Sequence, residues 1–369
     1  MHGDAELMAR AIDLAQRGRA TAPPNPWVGC VIARDGVVVG EGFHVRPGEA
    51  HAEAIALAAA GSRARRATAY VTLEPCAHHG RTPPCADALL DAGVSRVVVA
   101  IEDPDPRVRG RGLARLRTRG VAVEVGVGAA EARRSLASYL HHRATGRAFC
   151  LLKTATSLDG RVAAADGTSR WVTGPAARAD AHELRAESQA VVIGSGTALV
   201  DRPRLTVRDT DTVIDRQPLR VLLDARGRVP ADGPLFDVVA APTLVLTTES
   251  APASAVDAWR AAGAKVETVA ADPSGGLDLR SVLTLLGGHD VLQAMIEGGP
   301  TLHGGLVAAG LADRVVAYVS GVLLGTAGRP SLGWPGPVTL PDAPHLRLLD
   351  AAVLDGDVRL EYAPSDWGH

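Results

Sequence analysis

The chain has 369 residues, 46% of them hydrophobic and 22% charged, which is long enough and apolar enough for two domains with real cores. A formal net charge of −2 gives no overall basic footprint for a nucleic-acid partner, and four cysteines are too few for a disulfide scaffold. No apolar run reaches the ~18–20 residues that a bilayer span needs, and the opening residues, with Asp4 and Glu6, do not read as a secretory signal. The expected setting is the cytoplasm, with reduced thiols free to bind metal. Aromatic residues are only 3%, so the cores are expected to be built from Ala, Val and Leu.

In chain order, Leu7, Met8, Ala11, Ile12, Leu14 and Ala15 fall at helical spacing and predict a helix over 5–17, with Asp4 as its N-cap and Gly18 as its stop. A loop, Pro23-Pro24-Asn25-Pro26, leads to two β-branched runs, 28–33 and 37–40, joined by the hairpin signal Asp35-Gly36. A helix is expected over 51–60, and Arg63, Arg65 and Arg66 beyond it read as a solvated helix end. Strands at 68–73 and 94–101 flank a helix near 85–92. A helix at 111–119 and a strand at 121–127 follow, and the alternation predicts an α/β layered sheet. The stretch 143–147 reads as a boundary, dividing the chain into domains at 1–145 and 149–369. The second domain opens with a strand at 149–155 and a helix capped by Thr173, with Pro175 in its first turn, running to about Glu187. Strands are expected at 190–193, 219–224, 243–247, 266–270, 291–297 and 315–319, with an edge strand at 357–362.

The most informative residues are His51-Ala52-Glu53, Pro75-Cys76 and Cys85. One imidazole and two thiols form a soft N/S set suited to Zn²⁺, and three protein ligands leave a fourth tetrahedral position for water. The metal lowers the pKa of that water towards ~7. Both cysteines fall where helices are expected to begin, and helix N-termini favour thiolates. Glu53 stands beside a ligand without needing to be one, so it is the expected proton shuttle from water to departing ammonia. H-x-E followed by Pro-Cys is the signature of nucleobase deaminases. Here, however, the cysteines stand nine positions apart, not three. The insert, 77–84, widens the loop at the metal and supplies polar groups for a substrate. A closed structural site would need a fourth ligand, for which His78 and His79 are the candidates. Cys30 and Cys150 read as small buried apolar residues.

The run Glu74-Pro75-Cys76-Ala77-His78-His79-Gly80-Arg81-Thr82-Pro83-Pro84-Cys85 resembles the signature of the bifunctional riboflavin-biosynthesis deaminase/reductase family. Asn25-Pro26-Trp27-Val28-Gly29, Gly42-Phe43-His44, Asp103-Pro104 and Gly110-Arg111-Gly112 agree with it. The resemblance implies an N-terminal cytidine-deaminase-like α/β/α domain, with His51, Cys76 and Cys85 as zinc ligands and Glu53 as the acid/base. Asn25 and His44 would lie near a pyrimidine. The implied substrate is a diaminopyrimidinone carrying a ribosylamino 5′-phosphate. Two residues depart from the family pattern: Asp105 replaces a usual Asn, and Arg109 a usual small residue.

By its residues alone, 149–369 reads as an α/β domain with one candidate phosphate loop, Glu297-Gly298-Gly299-Pro300-Thr301-Leu302-His303-Gly304-Gly305, between a strand and a helix. It is not a G-x-G-x-x-G fingerprint, and such turns are often merely turns. Lys153 to Arg161, Ser169-Arg170-Trp171-Val172-Thr173, Leu184-Arg185-Ala186 and Thr197 through Asp201 to Leu205 and Arg208 resemble the reductase half of the same family. That implies a dihydrofolate-reductase-like α/β domain that uses NADPH. Ala155, Trp171, Thr197, Asp201 and the loop Gly299 to Gly305 would contact NADPH. Ser169, Arg185, Leu205, Arg208 and Glu297 would contact the substrate, the two guanidinium forks suiting a ribose 5′-phosphate. Hydride would reach C1′ of an opened, imine-like ribosylamine and give a ribityl chain. Arg202 and Ser320-Gly321 are departures in this half. The expected partner is a small phosphorylated pyrimidine, with neither nucleic acid nor membrane, and a homo-oligomer remains open. Two other readings are an active deaminase joined to a non-catalytic binding domain, and a nucleic-acid-editing zinc module. The near-neutral charge and the lack of aromatic platforms oppose the last.

Overall fold

The computed structural model describes residues 2–78 and 83–365, and the chain divides into two compact units between Gly146 and Arg147. His79 and the Gly80-Arg81-Thr82 part of the insert lie outside the described residues.

The first unit runs α1 (Asp4–Gln16), β1 (Gly29–Arg34), β2 (Val37–Phe43), α2 (Ala52–Ala60), β3 (Thr68–Val71), α3 (Cys85–Asp91), β4 (Arg96–Val99), α4 (Arg111–Thr118), β5 (Ala122–Val125), α5 (Ala129–Ser135) and α6 (Ala137–Thr145). Its sheet has the order β2-β1-β3-β4-β5, with β1 antiparallel to both neighbours and β3, β4 and β5 parallel. Strand alternation sorts the two faces. Cys30 and Ile32 of β1 pack with Ala52 and Ala56 of α2, Leu89 of α3 and Leu113 of α4. Val31 between them is equally buried on the other face. There α1 lies so close that a Cβ at Gly29 would sit 1.9 Å from the Ala11 carbonyl oxygen. The result is three layers, α/β/α.

Glycines in β2 set the height of α2 above the sheet. A Cβ at Gly40 would lie 2.3 Å from the Ala56 carbonyl oxygen, and one at Gly42 would lie 2.6 Å from Ile55 Cβ. Asp4 is the first residue of α1 and not its N-cap, which is Gly3. Its carboxylate instead accepts from Tyr70 Oη at 2.7 Å and from Arg96 Nη2 at 2.6 Å, an inter-element bridge that outcompetes local capping.

The second unit runs β6 (Phe149–Thr156), β7 (Arg161–Ala163), α7 (Pro175–Ala186), β8 (Ala190–Gly194), α8 (Ser195–Asp201), β9 (Leu219–Leu223), β10 (Thr243–Thr247), α9 (Ala253–Ala261), β11 (Lys265–Thr268), α10 (Leu279–Gly288), β12 (Gln293–Ile296), α11 (Pro300–Ala308), β13 (Arg314–Val319), β14 (Arg329–Pro330), β15 (Leu346–Leu354) and β16 (Asp357–Pro364). Its main sheet has the order β11-β10-β9-β8-β12-β6-β13-β16-β15. The seven strands from β11 to β13 are parallel, and β16 and β15 close the edge antiparallel. Parallel strands bury both faces and read as continuous apolar runs. Val192, Leu244 and Leu246 pack with α10 on one side, while Val191, Ile193 and Val245 pack around Trp259 of α9 on the other. The N-cap of α7 is Gly174, not Thr173. Helices α8, α9 and α10 and strand β15 extend beyond the elements legible in the sequence.

Candidate metal centre and cofactor cleft

His51 is the extended N-cap of α2, Cys85 is the first residue of α3, and Cys76 lies in the loop leaving β3. Their ligand atoms all fall within 4.8 Å of one another. His51 Nδ1 is 3.2 Å from Cys85 Sγ and 3.7 Å from Cys76 Sγ, and the Cys85 backbone N–H donates to Cys76 Sγ at 3.3 Å. The Cys85 thiol, with His51 beside it, holds Cys76 down at about 4 despite burial. Cys76 in turn, with burial, pushes Cys85 up. Both sulfurs are soft ligands. A divalent ion satisfies both as thiolates, and the N/S₂ donor set fits zinc. Among the described residues no fourth His, Cys, Asp or Glu joins the cluster, and His78 is exposed.

Glu53, in the first turn of α2, is only 3% exposed. Burial pushes its carboxyl above the ordinary range, and Cys76 adds to the effect. His44 stands edge-on to His51 with ring centroids 5.2 Å apart. Its Nδ1 meets the Ala50 carbonyl at 3.1 Å, and the Asn25 amide nitrogen lies 3.1 Å from Nε2. Because the amide donates and the carbonyl accepts, His44 is neutral with its proton on Nδ1. Burial, which lowers its pKa, acts in the same direction. Asn25, His44, His51, Glu53, Cys76 and Cys85 therefore form one constellation, and Cys30 and Cys150 are buried outside it.

Sequence reasoning missed what holds this constellation from behind. The carboxylate of Glu74, 4% exposed, accepts backbone N–H groups from Gly110 at 2.9 Å, Gly112 at 3.0 Å, Leu113 at 3.3 Å and Asp103 at 3.4 Å. A Cβ at Gly112 would come 1.8 Å from the Pro75 carbonyl oxygen, so the start of α4 rests directly on the Cys76 loop. The available signal was an acid set in the apolar run Val71-Thr72-Leu73-Glu74. The departures in this loop have local consequences. Asp105 is gripped by Arg107 through Nε at 3.0 Å and Nη2 at 2.6 Å, which hold its carboxyl at about 2, whereas Arg109 is exposed.

In the second unit every residue from which the resemblance implies a cofactor or substrate contact lines one cleft at the carboxyl ends of the parallel strands. Ala155, Ser169, Trp171, Arg185, Thr197, Asp201, Leu205, Arg208, Glu297 and the loop from Gly299 to Gly305 all face it. Gly299 is the N-cap of α11 and Pro300 stands in its first turn. Gly304 has no room for a side chain, since a Cβ would lie 2.6 Å from the Gly333 carbonyl oxygen. His303 is 3% exposed, its Nε2 has no partner, and burial lowers its pKa to about 4. Trp171 is 65% exposed with Arg178 stacked 4.6 Å from its ring centroid. Leu205 is held at φ +54°, an uncommon conformation for leucine.

Arg185 closes its fork on Glu297, with Nε to Oε1 at 2.8 Å and Nη2 to Oε2 at 2.9 Å, and its Nη1 donates to the Thr206 carbonyl at 2.6 Å. Arg208, by contrast, has a side chain 48% exposed beside Asp209. Lys153, which had stood only as a motif letter, also lines the cleft, 5.9 Å from the Tyr318 ring centroid. A lysine inside the apolar strand β6 was its signal. Burial lowers the Lys153 pKa against the pull of Glu297. Burial alone would raise Glu297, but Arg185 and Lys153 outweigh it and hold the carboxyl below its usual range. Among the described residues no helix is long and apolar enough to cross a membrane.

Comparison with known proteins gives a consistent assignment for both halves. Residues 1–101 match the cytidine and deoxycytidylate deaminase zinc-binding region, and residues 148–360 match the RibD C-terminal domain. The riboflavin biosynthesis protein RibD of Escherichia coli (strain K12) is 44% identical over 368 residues, covering 97% of this chain and 98% of that protein. Its counterpart in Chlamydia pneumoniae is 43% identical over 355 residues, covering 96% and 94%. Among solved structures, Acinetobacter baumannii RibD (form 1) superposes with a TM-score of 0.88 at 39% identity, covering 98% of this chain and 99% of that one. A Thermotoga maritima diaminohydroxyphosphoribosylaminopyrimidine deaminase/5-amino-6-(5-phosphoribosylamino)uracil reductase does so with a TM-score of 0.84 at 33% identity, covering 98% of each. With a zinc-type deaminase unit followed by a reductase unit, the chain belongs to the RibD family of bifunctional deaminase/reductases of riboflavin biosynthesis.

Proposed function

We propose that the first unit hydrolyses the ring amino group of 2,5-diamino-6-(5-phosphoribosylamino)pyrimidin-4(3H)-one, and that the second reduces the ribosyl side chain of the product with NADPH. The final product is then 5-amino-6-(5-phosphoribitylamino)uracil. The observation that carries this reading is the N/S₂ cluster of His51, Cys76 and Cys85 with the buried Glu53 beside it.

Zinc, when bound by those three residues, supplies a Lewis acid and makes hydroxide accessible at neutral pH. Glu53 takes the proton from the attacking water on its carboxylate and passes it to the amino group, which leaves as ammonia. Its raised pKa brings it nearer the working pH, as such a shuttle requires. His44, neutral and fixed by Ala50 and Asn25, orients the pyrimidine edge. In the second unit NADPH supplies hydride, and the chain supplies orientation. The turn into α11 takes the dinucleotide phosphates, Arg208 takes the substrate 5′-phosphate, and Arg185 fixes the Glu297 carboxylate in the cleft. A small-molecule partner, rather than a nucleic acid, agrees with the net charge of −2. A reducing compartment such as the cytoplasm keeps Cys76 and Cys85 as thiols.

The test is incubation of the purified chain with the phosphorylated diaminopyrimidinone, with and without NADPH, and identification of products by mass. Ammonia release without NADPH and a ribityl product with it are expected. A deaminated product that is never reduced would leave only the first half of the proposal standing.

A further inference from the structure

We infer that Gln217 is a positioning residue for the reduction: its side-chain amide holds the main chain of Val207 and so aims Arg208 at the 5′-phosphate of the substrate. This rests on the phosphate role given to Arg208 in the second unit and adds the group that sets its direction.

No helix or strand covers the chain between α8 and β9. Within it three residues other than glycine stand at positive φ: Arg202 at +42°, Leu205 at +54° and Asp209 at +52°. Such backbone persists only where its surroundings over-determine it. Leu205 and Val207 turn inward, 3% and 7% exposed, while Arg204 and Arg208 line the cleft. The alternation is that of an extended strand, but the stretch lies in no sheet, so side chains must serve its N–H and C=O groups.

Arg220 Nη1 reaches the Arg204 carbonyl at 3.4 Å, and Arg185 Nη1 donates to the Thr206 carbonyl at 2.6 Å. At Val207 one amide serves both groups. The Val207 N–H donates to Gln217 Oε1 at 2.7 Å, and Gln217 Nε2 donates to the Val207 carbonyl at 3.2 Å. A side-chain amide offers the donor and the acceptor of a peptide group, so Gln217 stands in for the neighbouring strand that the segment lacks. Beyond Arg208, the Glu183 carboxylate accepts from the hydroxyls of Thr210 and Thr212.

The arginines in this scaffold have other duties. Arg185 grips Glu297, and Arg220 also holds the carbonyls of Pro234, Asp237 and Ala241. Both hydrogen bonds of the Gln217 amide, by contrast, go to Val207. Its base is firm. Gln217 precedes the buried Pro218, which disfavours helical backbone at Gln217, and the Leu219 N–H beyond is bonded to the Gln189 carbonyl at 2.9 Å where β9 begins. Arg208 takes little direction from its own contacts. Its side chain is 48% exposed, and its ion pair with Asp209 spans 3.7 Å to a carboxylate that is 83% exposed. A solvated pair of that kind fixes little. The heading of the guanidinium is therefore set one residue earlier, at Val207.

The experiment measures reduction of the deaminated, phosphorylated compound by the full chain, by Gln217→Ala and Gln217→Met, and by each of these combined with Arg208→Ala. Both Gln217 variants raise KM for that compound by about 10-fold, the loss of one well-placed charge-assisted contact, while KM for NADPH and kcat change little. Gln217→Met keeps the length of the side chain and drops both hydrogen bonds, so it carries the test if the alanine variant unfolds. In the Arg208→Ala background either change adds nothing further, because the two residues act as one unit. An unaltered KM in Gln217→Met overturns the assignment. So does an equal rise in both KM values, or an undiminished effect in the Arg208→Ala background, each of which would reduce Gln217 to general support of the fold. If Arg208→Ala alone leaves KM for the phosphorylated compound unchanged, the phosphate reading of Arg208 is wrong and this assignment falls with it.

Discussion

Glu74 hydrogen-bonds the backbone of Gly112, and that single contact ties the residue two before a metal ligand to the first turn of another helix. Among the described residues the Glu74 carboxylate has no ion-pair partner and works as a four-way acceptor for N–H groups that would otherwise be buried unsatisfied. Glu74→Ala is expected to destabilise the first unit by about 2 kcal/mol or more. It should also weaken zinc retention, because the Cys76 loop loses its seat. Thermal unfolding followed together with zinc content checks both, and unchanged zinc affinity would confine Glu74 to a stability role.

Glu53→Gln preserves shape and removes the proton carrier. Zinc is expected to remain bound while deamination slows by ~10²-fold or more. Ammonia release measured at equal zinc occupancy decides it, and near-normal turnover removes Glu53 from the assigned role.

Removing the metal separates the two activities. A chelator is expected to abolish ammonia release while leaving NADPH oxidation with the already deaminated compound intact, since the two clusters belong to different units. In the stripped protein Cys76, held at about 4, should be alkylated at neutral pH well before Cys30 or Cys150, which are fully buried. Mapping the alkylated sites by mass gives the order, and added zinc should protect Cys76.

Arg185 and Arg208 are expected to fail differently. Arg185→Ala strands the buried Glu297 carboxylate, so a stability loss of about 3–5 kcal/mol is expected in the second unit. Arg208→Ala, half-exposed, should leave stability nearly unchanged and raise KM for the phosphorylated substrate much more than for NADPH. Equal effects on both ligands would contradict a phosphate role for Arg208.

The same ion pair sets an acid limit. The folded pKa of Glu297 lies below its ordinary value, so its stabilising contribution is complete above the usual glutamate range near ~4.3 and is lost as pH falls through the lower folded value. Glu297→Gln is expected to flatten this part of the acid-unfolding curve, which unfolding midpoints measured from pH 7 downward would reveal.

The readable part of the chain was the part whose chemistry is spelled in side chains. His51, Glu53, Cys76 and Cys85 announce themselves by residue type and order, and the parallel strands by uninterrupted Val, Leu and Ile. Groups whose function is to satisfy backbone were not readable, because the main-chain N–H and C=O groups they serve carry no letter of their own. Glu74, Asp224 and the buried Arg220, which spans the carbonyls of Pro234 at 2.7 Å and Asp237 at 2.8 Å, are of this kind. Arg185 shows the complementary difficulty. Its residue type suggests an anion site, but the anion it meets is Glu297, 112 positions away in sequence. Capping was misjudged for a related reason. Asp4 and Thr173 have the right chemistry to cap a helix, but glycine precedes the first residue of both α1 and α7.

The bare Cα positions of Gly40 and Gly42 have a consequence for how this enzyme tolerates change. They let main chain bear on main chain beneath α2, so the ligand-bearing end of that helix is registered by the least adjustable atoms in the domain. Volume-conserving exchanges among the alanines, valines and leucines around it should therefore be absorbed without disturbing the imidazole. One added methyl at position 40 would lift the whole helix.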